Sequence, residues 1–202
     1  MVSVYKQELK KKILDYAMAQ FMVRGIKSIT MDALARDLKI SKRTMYEIFN
    51  DKEELLLEGV KALDNDMHTK MLAFYEEGDH NVIDILVKLY HEEMDRSQKA
   101  SPAFIHDLHK YARLKAYFDD RARQNDDRAK VFFDRGVAEG YFRADIDYHL
   151  VSVIGRITMD EIISNELYRK YPTDVLFHNF TFVIIRGLCT LKGMEALDRR
   201  LQ

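Results

Sequence analysis

The stretch TMDALARDLKISKRTMYEIF, Thr30 to Phe49, decides how the rest of the chain is read. Leu34, Leu38, Ile40, Met45 and Ile48 fall at the spacing of two short helices sharing a small core. Ala35 is small where the second helix must approach the first. Thr30 and Ser41 each precede an apolar-periodic run, where a side-chain oxygen can accept from the orphan amides of a first helical turn. Leu38 to Ser41 leaves room for a tight turn, and two short helices joined in this way form a helix-turn-helix. With the inward positions assigned, the second helix turns Lys42, Arg43, Thr44, Tyr46 and Glu47 outward, mostly groups that donate hydrogen bonds. In this motif the start of the second helix meets base edges in the major groove, which makes Lys42, Arg43 and Thr44 the candidates for base contacts. Thr30, Ser41 and the turn Asn50 to Lys52 lie at helix starts that can anchor phosphate, although Thr30 and Ser41 are needed as caps even without DNA.

Charge follows the same division. The formal net charge is -1, but residues 1–50 hold ten Lys or Arg against five Asp or Glu, and the remainder holds 22 against 28. A basic quarter joined to an acidic body is expected of a small module facing polyphosphate. The first helix is expected from Tyr5 to Arg24, with Leu9, Ile13, Tyr16, Ala17 and Phe21 inward, Gly25 as its stop, and Lys6, Lys10 and Lys12 on its exposed face. Asn50 and Glu53 have the spacing of a capping-box variant opening a helix to about Tyr75.

Beyond Gly78 the pattern predicts helices over about 80–97, 102–117 and 120–139, then a turn at Gly140 to Asp147. Pro102 and Pro172, the two prolines of the chain, stand where helices can begin. The fold class is all-α: a three-helix DNA-binding domain at 1–50 and a larger C-terminal helical domain at 51–202, connected by the helix over 51–75. The last two segments, about 148–168 and 174–192, are apolar on more than one face and must be covered on several sides. That cover comes either from the chain's own core or from a second copy in a four-helix interface.

The single cysteine, Cys189, excludes an internal disulfide and lies in an apolar run that should bury it. The Lys-rich start lacks the apolar core of a secretion signal, and no uncharged run reaches the roughly 18 residues of a membrane span; the expectation is a cytoplasmic protein without membrane contact. His91-Glu92-Glu93-Met94-Asp95 begins like a zinc-protease motif but has Asp95 where the second histidine belongs. His106 and His109 could share a helix face, yet no Glu-x-x-His cluster completes a di-metal site. No glycine-rich phosphate loop is present. The reading is therefore not an enzyme, with no metal and no cofactor.

The sequence resembles the tetracycline-repressor (TetR) family of regulators. The residues carrying the likeness are Ile13-Leu14, Phe21, Gly25, Thr30, Leu34-Ala35, Ser41-Lys42, Thr44, Tyr46, Phe49 and Lys52-Glu53-Glu54-Leu55, in family order and register over about residues 9–57. The resemblance implies that Tyr46 contacts the DNA backbone, that Lys52 meets a phosphate, and that Lys42, Arg43 and Thr44 read bases. Two positions depart from the family: Lys39 replaces the usual glycine of the turn and should take a left-handed conformation at modest cost, and Arg43 stands where Gly or Ala is frequent. Further along, Gly140-Tyr-Phe-Arg-Ala-Asp-Ile-Asp147 resembles the turn before the family's penultimate helix.

By resemblance, the last two helices form a homodimer interface, here with Ile154, Ile157, Phe180, Val183, Ile184 and Leu188. Tyr90, Met94, Phe104, His109, Phe133 and Met159 either line a pocket for a small hydrophobic effector or fill the core of the middle helices. The function implied is a ligand-responsive regulator, a repressor of palindromic double-stranded operator DNA that is released by its effector. The alternatives are a helical adaptor that binds protein instead of DNA and, behind it, a helical metal-binding enzyme.

Overall fold

The structure, a computed structural model, describes residues 4–108 and 110–201, with side chains described at all of them except 126 and 127. Ten α-helices follow one another among these residues: α1 Val4–Arg24, α2 Met31–Asp37, α3 Lys42–Ile48, α4 Lys52–Glu76, α5 Val82–Lys99, α6 Pro102–Leu108, α7 Ala112–Ala138, α8 Tyr148–Ser164, α9 Thr173–Leu188 and α10 Leu191–Leu201. A single 3₁₀ turn lies at Leu167–Arg169, and the expected all-α class holds. The helices gather into two compact units. One comprises the chain up to Asp66 together with Lys99–Tyr117, and the other comprises Met67–Gln98 together with the chain from Phe118 onward. The Lys99–Tyr117 segment thus groups with the first four helices.

In the first unit Ile13, Ala17 and Phe21 of α1 are buried with Leu34, Met45, Phe49, Leu55 and Leu56, which makes one small core from α1 to α4. Two boundaries differ from expectation. The capping box of α4 sits one residue further on: Asp51 Oδ1 accepts from the Glu54 amide and Glu54 accepts from the Asn50 amide. The break expected near residue 118 lies between Leu108 and Ala112 instead. No glycine or proline occurs between Ala103 and Arg135, so nothing in the sequence punctuates either position.

The second unit is built on Val82, Ile83 and Val87 of α5, Phe142 of the turn, Ile185 and Cys189, and Ala196 and Leu197 of α10. Its helices are pinned end to end. Glu139 accepts from the Val82 amide at the start of α5, Arg200 pairs with Asp84, and Arg186 forms a two-pronged ion pair with Asp198. Burial pushes the Cys189 thiol up to about 11. The helix α10 lies beyond the last segment expected from the sequence, about 174–192. It forms because Thr190 caps it, its hydroxyl accepting from the Gly193 amide at 3.1 Å.

Gly193 is required by proximity. A Cβ placed there would stand 2.2 Å from the Tyr141 carbonyl oxygen, which itself accepts from the Thr190 amide at 2.9 Å. Since neither backbone can yield, Gly193→Ala should destabilise this unit by about 2–4 kcal/mol. Urea unfolding of the variant beside the parent measures it.

Candidate nucleic-acid interface

The reading head is assembled from two caps and a strained turn. Thr30 Oγ1 accepts from the Ala33 amide at 3.1 Å and opens α2, while Ser41 Oγ accepts from the Thr44 amide at 3.0 Å and opens α3. Between them α2 ends in a Schellman motif: the Lys39 amide donates to the Arg36 carbonyl at 3.1 Å and the Ile40 amide to the Ala35 carbonyl at 3.0 Å. Lys39 carries φ 56°, the left-handed conformation its place in the turn demands. A lysine here costs more than the glycine it replaces.

Beyond this turn, Met45 is fully buried and Ile48 half-buried, so the opposite side of α3 faces solvent. Lys42, Arg43, Tyr46 and Glu47 are exposed and Thr44 is half-buried beside Ser41, its hydroxyl 2.8 Å from the serine's. The two basic groups are not bare. Lys42 is paired with Asp32 at the start of α2, and the Arg43 Nε donates to Glu47 Oε1 at 2.8 Å one turn along. These hydrogen bonds raise the pKa of both side chains, so both stay charged. Of the lysines on α1, Lys6 and Lys12 are exposed, whereas Lys10 is half-buried and paired with Glu58 of α4.

Lys52 occupies a place that sequence reasoning did not foresee. Its ammonium donates to the carbonyls of Ile26 at 3.0 Å and Ile29 at 2.9 Å, beneath the loop that leads from α1 into α2. Burial lowers its pKa, and the nearby Asp107 charge partly offsets that. Asp107, buried on α6, accepts from the Lys27 amide of the same loop at 2.8 Å. Sequence gave no signal for Asp107, because its partner is a backbone amide 80 residues away.

Phe104 is buried in the first unit on α6, and Phe133 is stacked on Tyr148 at 4.4 Å against the core of the second. Both rings take part in core packing, one of the two readings open for them in the sequence. Met94 is half-buried on α5, Met159 is exposed on α8, and His109 lies outside the described residues. Tyr90 lines a cavity of about 410 Å³ within the second unit, together with His91, His178, Phe182, Asp198 and Leu201. Among the described residues no group of three His, Cys, Asp or Glu is placed to hold a metal ion, and no helix is long and apolar enough to cross a membrane.

Of the expected dimer residues, Ile154, Ile157 and Val183 are strongly exposed and Phe180 and Ile184 are half-buried. Leu188 is 8 % exposed in the single chain, and its carbonyl accepts from the Arg143 amide at 3.0 Å.

Two short capped helices at a tight turn, with the second turning a polar face outward, define a helix-turn-helix DNA-binding protein. Comparison finds relatives of the same kind. Residues 13–58 match the profile of the bacterial regulatory proteins of the tetR family. The HTH-type transcriptional repressor KstR2 of Mycobacterium tuberculosis is 26% identical over 158 residues, covering 69% of this chain and 72% of that protein. KstR2 of Rhodococcus jostii is 25% identical over 150 residues, covering 72% and 73%. Among solved structures, the M. tuberculosis ketosteroid transcriptional regulator KstR2 superposes with TM-score 0.59 at 20% identity, over 90% of this chain and 95% of that one. A transcriptional regulator from Saccharomonospora viridis in complex with choline gives 0.70 at 15% identity, over 91% and 99%. Residues 13–58 thus match the DNA-binding region of tetR-family regulators, and the chain as a whole is similar in sequence and fold to transcriptional regulators.

The Lys52 geometry separates two roles by experiment. A charged donor to two carbonyls holds the loop, and its removal leaves both without that partner. Lys52→Met should cost about 1–3 kcal/mol of stability, read by urea unfolding. It should also leave the slope of log affinity against log salt unchanged, whereas loss of a phosphate contact would flatten that slope by about one.

Proposed function

We propose that the protein is a homodimeric repressor that binds a palindromic operator through α3 and leaves it when a small, largely hydrophobic effector binds the helical body. The observation that carries the DNA reading is the exposed face of α3, held at a fixed angle by the Lys39 turn and the two hydroxyl caps. Lys42, Arg43 and Thr44 meet base edges, and Thr30, Ser41 and Tyr46 meet the sugar-phosphate backbone. Lys52 acts on the same backbone mainly by fixing the loop before α2. The named repressors among the relatives support repression as the sign of control.

The apolar character of α8 and α9 supports dimerisation. No residue of α8 is buried, although Leu150, Ile154 and Ile157 recur along one stripe of it. Val175 and Val183 are exposed on α9, which meets α8 where the Phe180 ring lies 4.0 Å from a Cβ built on Gly155. Two such helices from each of two copies bury one another's stripes as a four-helix interface. The cavity lined by Tyr90 and Phe182 offers the effector aromatic walls with a few polar groups, the make-up of small-molecule sites. Neighbours of this fold are titled for ligands as different as a ketosteroid and choline, so they leave the effector's identity open. An effector that prefers one conformation of the dimer shifts the population away from DNA.

Selection of bound sequences from random duplex DNA tests the central claim: an enriched palindrome is expected, and its absence at low salt overturns it. The interface has its own test. Ile157→Asp combined with Val183→Asp should convert the dimer to a monomer in sedimentation equilibrium and lower operator affinity about a hundredfold, as both heads no longer bind together.

A further inference from the structure

We propose that Asp32 and Glu47 are specificity-determining residues: they neutralise the two cations of the reading face, so that α3 gains little from phosphate and much from the right base edge. The inference rests on α3 entering the groove. Each cation of that face has its own acid. Lys42 is bound by Asp32 from the first turn of α2, and Arg43 by Glu47 from the next turn of α3. Residues 1–50 carry ten basic against five acidic groups, and two of each meet here, which leaves the whole basic surplus elsewhere. General attraction to DNA therefore comes from other surfaces, such as exposed Lys6 and Lys12, while the reading face itself is close to neutral.

Pairing changes what each cation can do. Arg43 uses its Nε for Glu47, which leaves both Nη groups to form the planar fork that matches O6 and N7 of a guanine. If the same guanidinium turned to a phosphate, it would either abandon Glu47 or carry the carboxylate against a like charge. Glu47 lies on the same exposed face and can itself accept from a cytosine amine. The Lys42 and Asp32 pair works likewise, since an ammonium held near the start of α2 reaches a base acceptor more readily than it moves to the backbone. The acids thus penalise wrong DNA more than right DNA, the repulsive element that discrimination requires.

The test compares the parent protein with Glu47→Gln, Asp32→Asn and the double variant, each binding its selected operator and a scrambled duplex over a salt series. The amides keep size and hydrogen bonding and remove the charge, and both sites are exposed, so folding should be unaffected. Each substitution should tighten binding to scrambled DNA by roughly tenfold at low salt, steepen the salt dependence by about one in slope, and reduce the operator-to-scrambled ratio by roughly tenfold. Glu47→Gln should also relax the base preference at the position read by Arg43. An unchanged ratio and slope in both single variants overturns this inference alone. A parent protein that binds operator and scrambled duplex equally overturns the reading of α3 beneath it.

Discussion

Everything the first unit does depends on satisfying the backbone of one short loop. Between Gly25 and Thr30 the chain must leave α1, reverse, and enter α2 with Ile26 and Ile29 fully buried. Burying those side chains draws their carbonyls away from water, and an unpaired buried carbonyl is expensive. The carbonyls of Ile26 and Ile29 are met by one ammonium, that of Lys52 from α4, and the Lys27 amide by one carboxylate, that of Asp107 from α6. Gly25, at φ 80°, completes the turn, because any side chain there would meet Ala103 at 2.8 Å. The angle at which α2 and α3 are presented is thus set by two helices, α4 and α6, acting on one short loop.

The local part of this arrangement was legible in the sequence. Thr30 and Ser41 announce helix starts by chemistry that operates within four residues, and Lys39 could be assigned a left-handed conformation because the turn needs one whatever residue fills it. The long-range part was not legible. Lys52 reads as a phosphate ligand, and nothing marks Asp107, until the loop is seen between them. Phe104 and Phe133 stay undecided between pocket and core, because an aromatic residue on a middle helix has the same pattern in either place. α10 escaped notice since its short apolar face, Ala196 and Leu197, is set among charges that pair across the unit with α5 and α9.

The two ends of the second unit show opposite solutions to apolar burial. Around Phe142 the chain covers itself: the turn lies against α9 through the backbone bridge of Phe142 with Cys189, and α10 folds over the same ground. Along α8 it does not, and a 17-residue helix with Leu150, Ile154 and Ile157 exposed remains without a buried residue. The division falls within α9, where Ile185 and Leu188 turn inward while Val183 turns outward.

The single sulfhydryl of the chain is Cys189, buried in the core and held protonated at neutral pH. Only the thiolate reacts with common thiol reagents, so the native protein is in effect thiol-silent while folded. A cysteine introduced on the outer face of α3 or α8 would be its sole reactive position, without prior removal of a native one. Fluorophores or spin labels there can then test by distance for a second copy of the chain, in a protein that is otherwise unaltered.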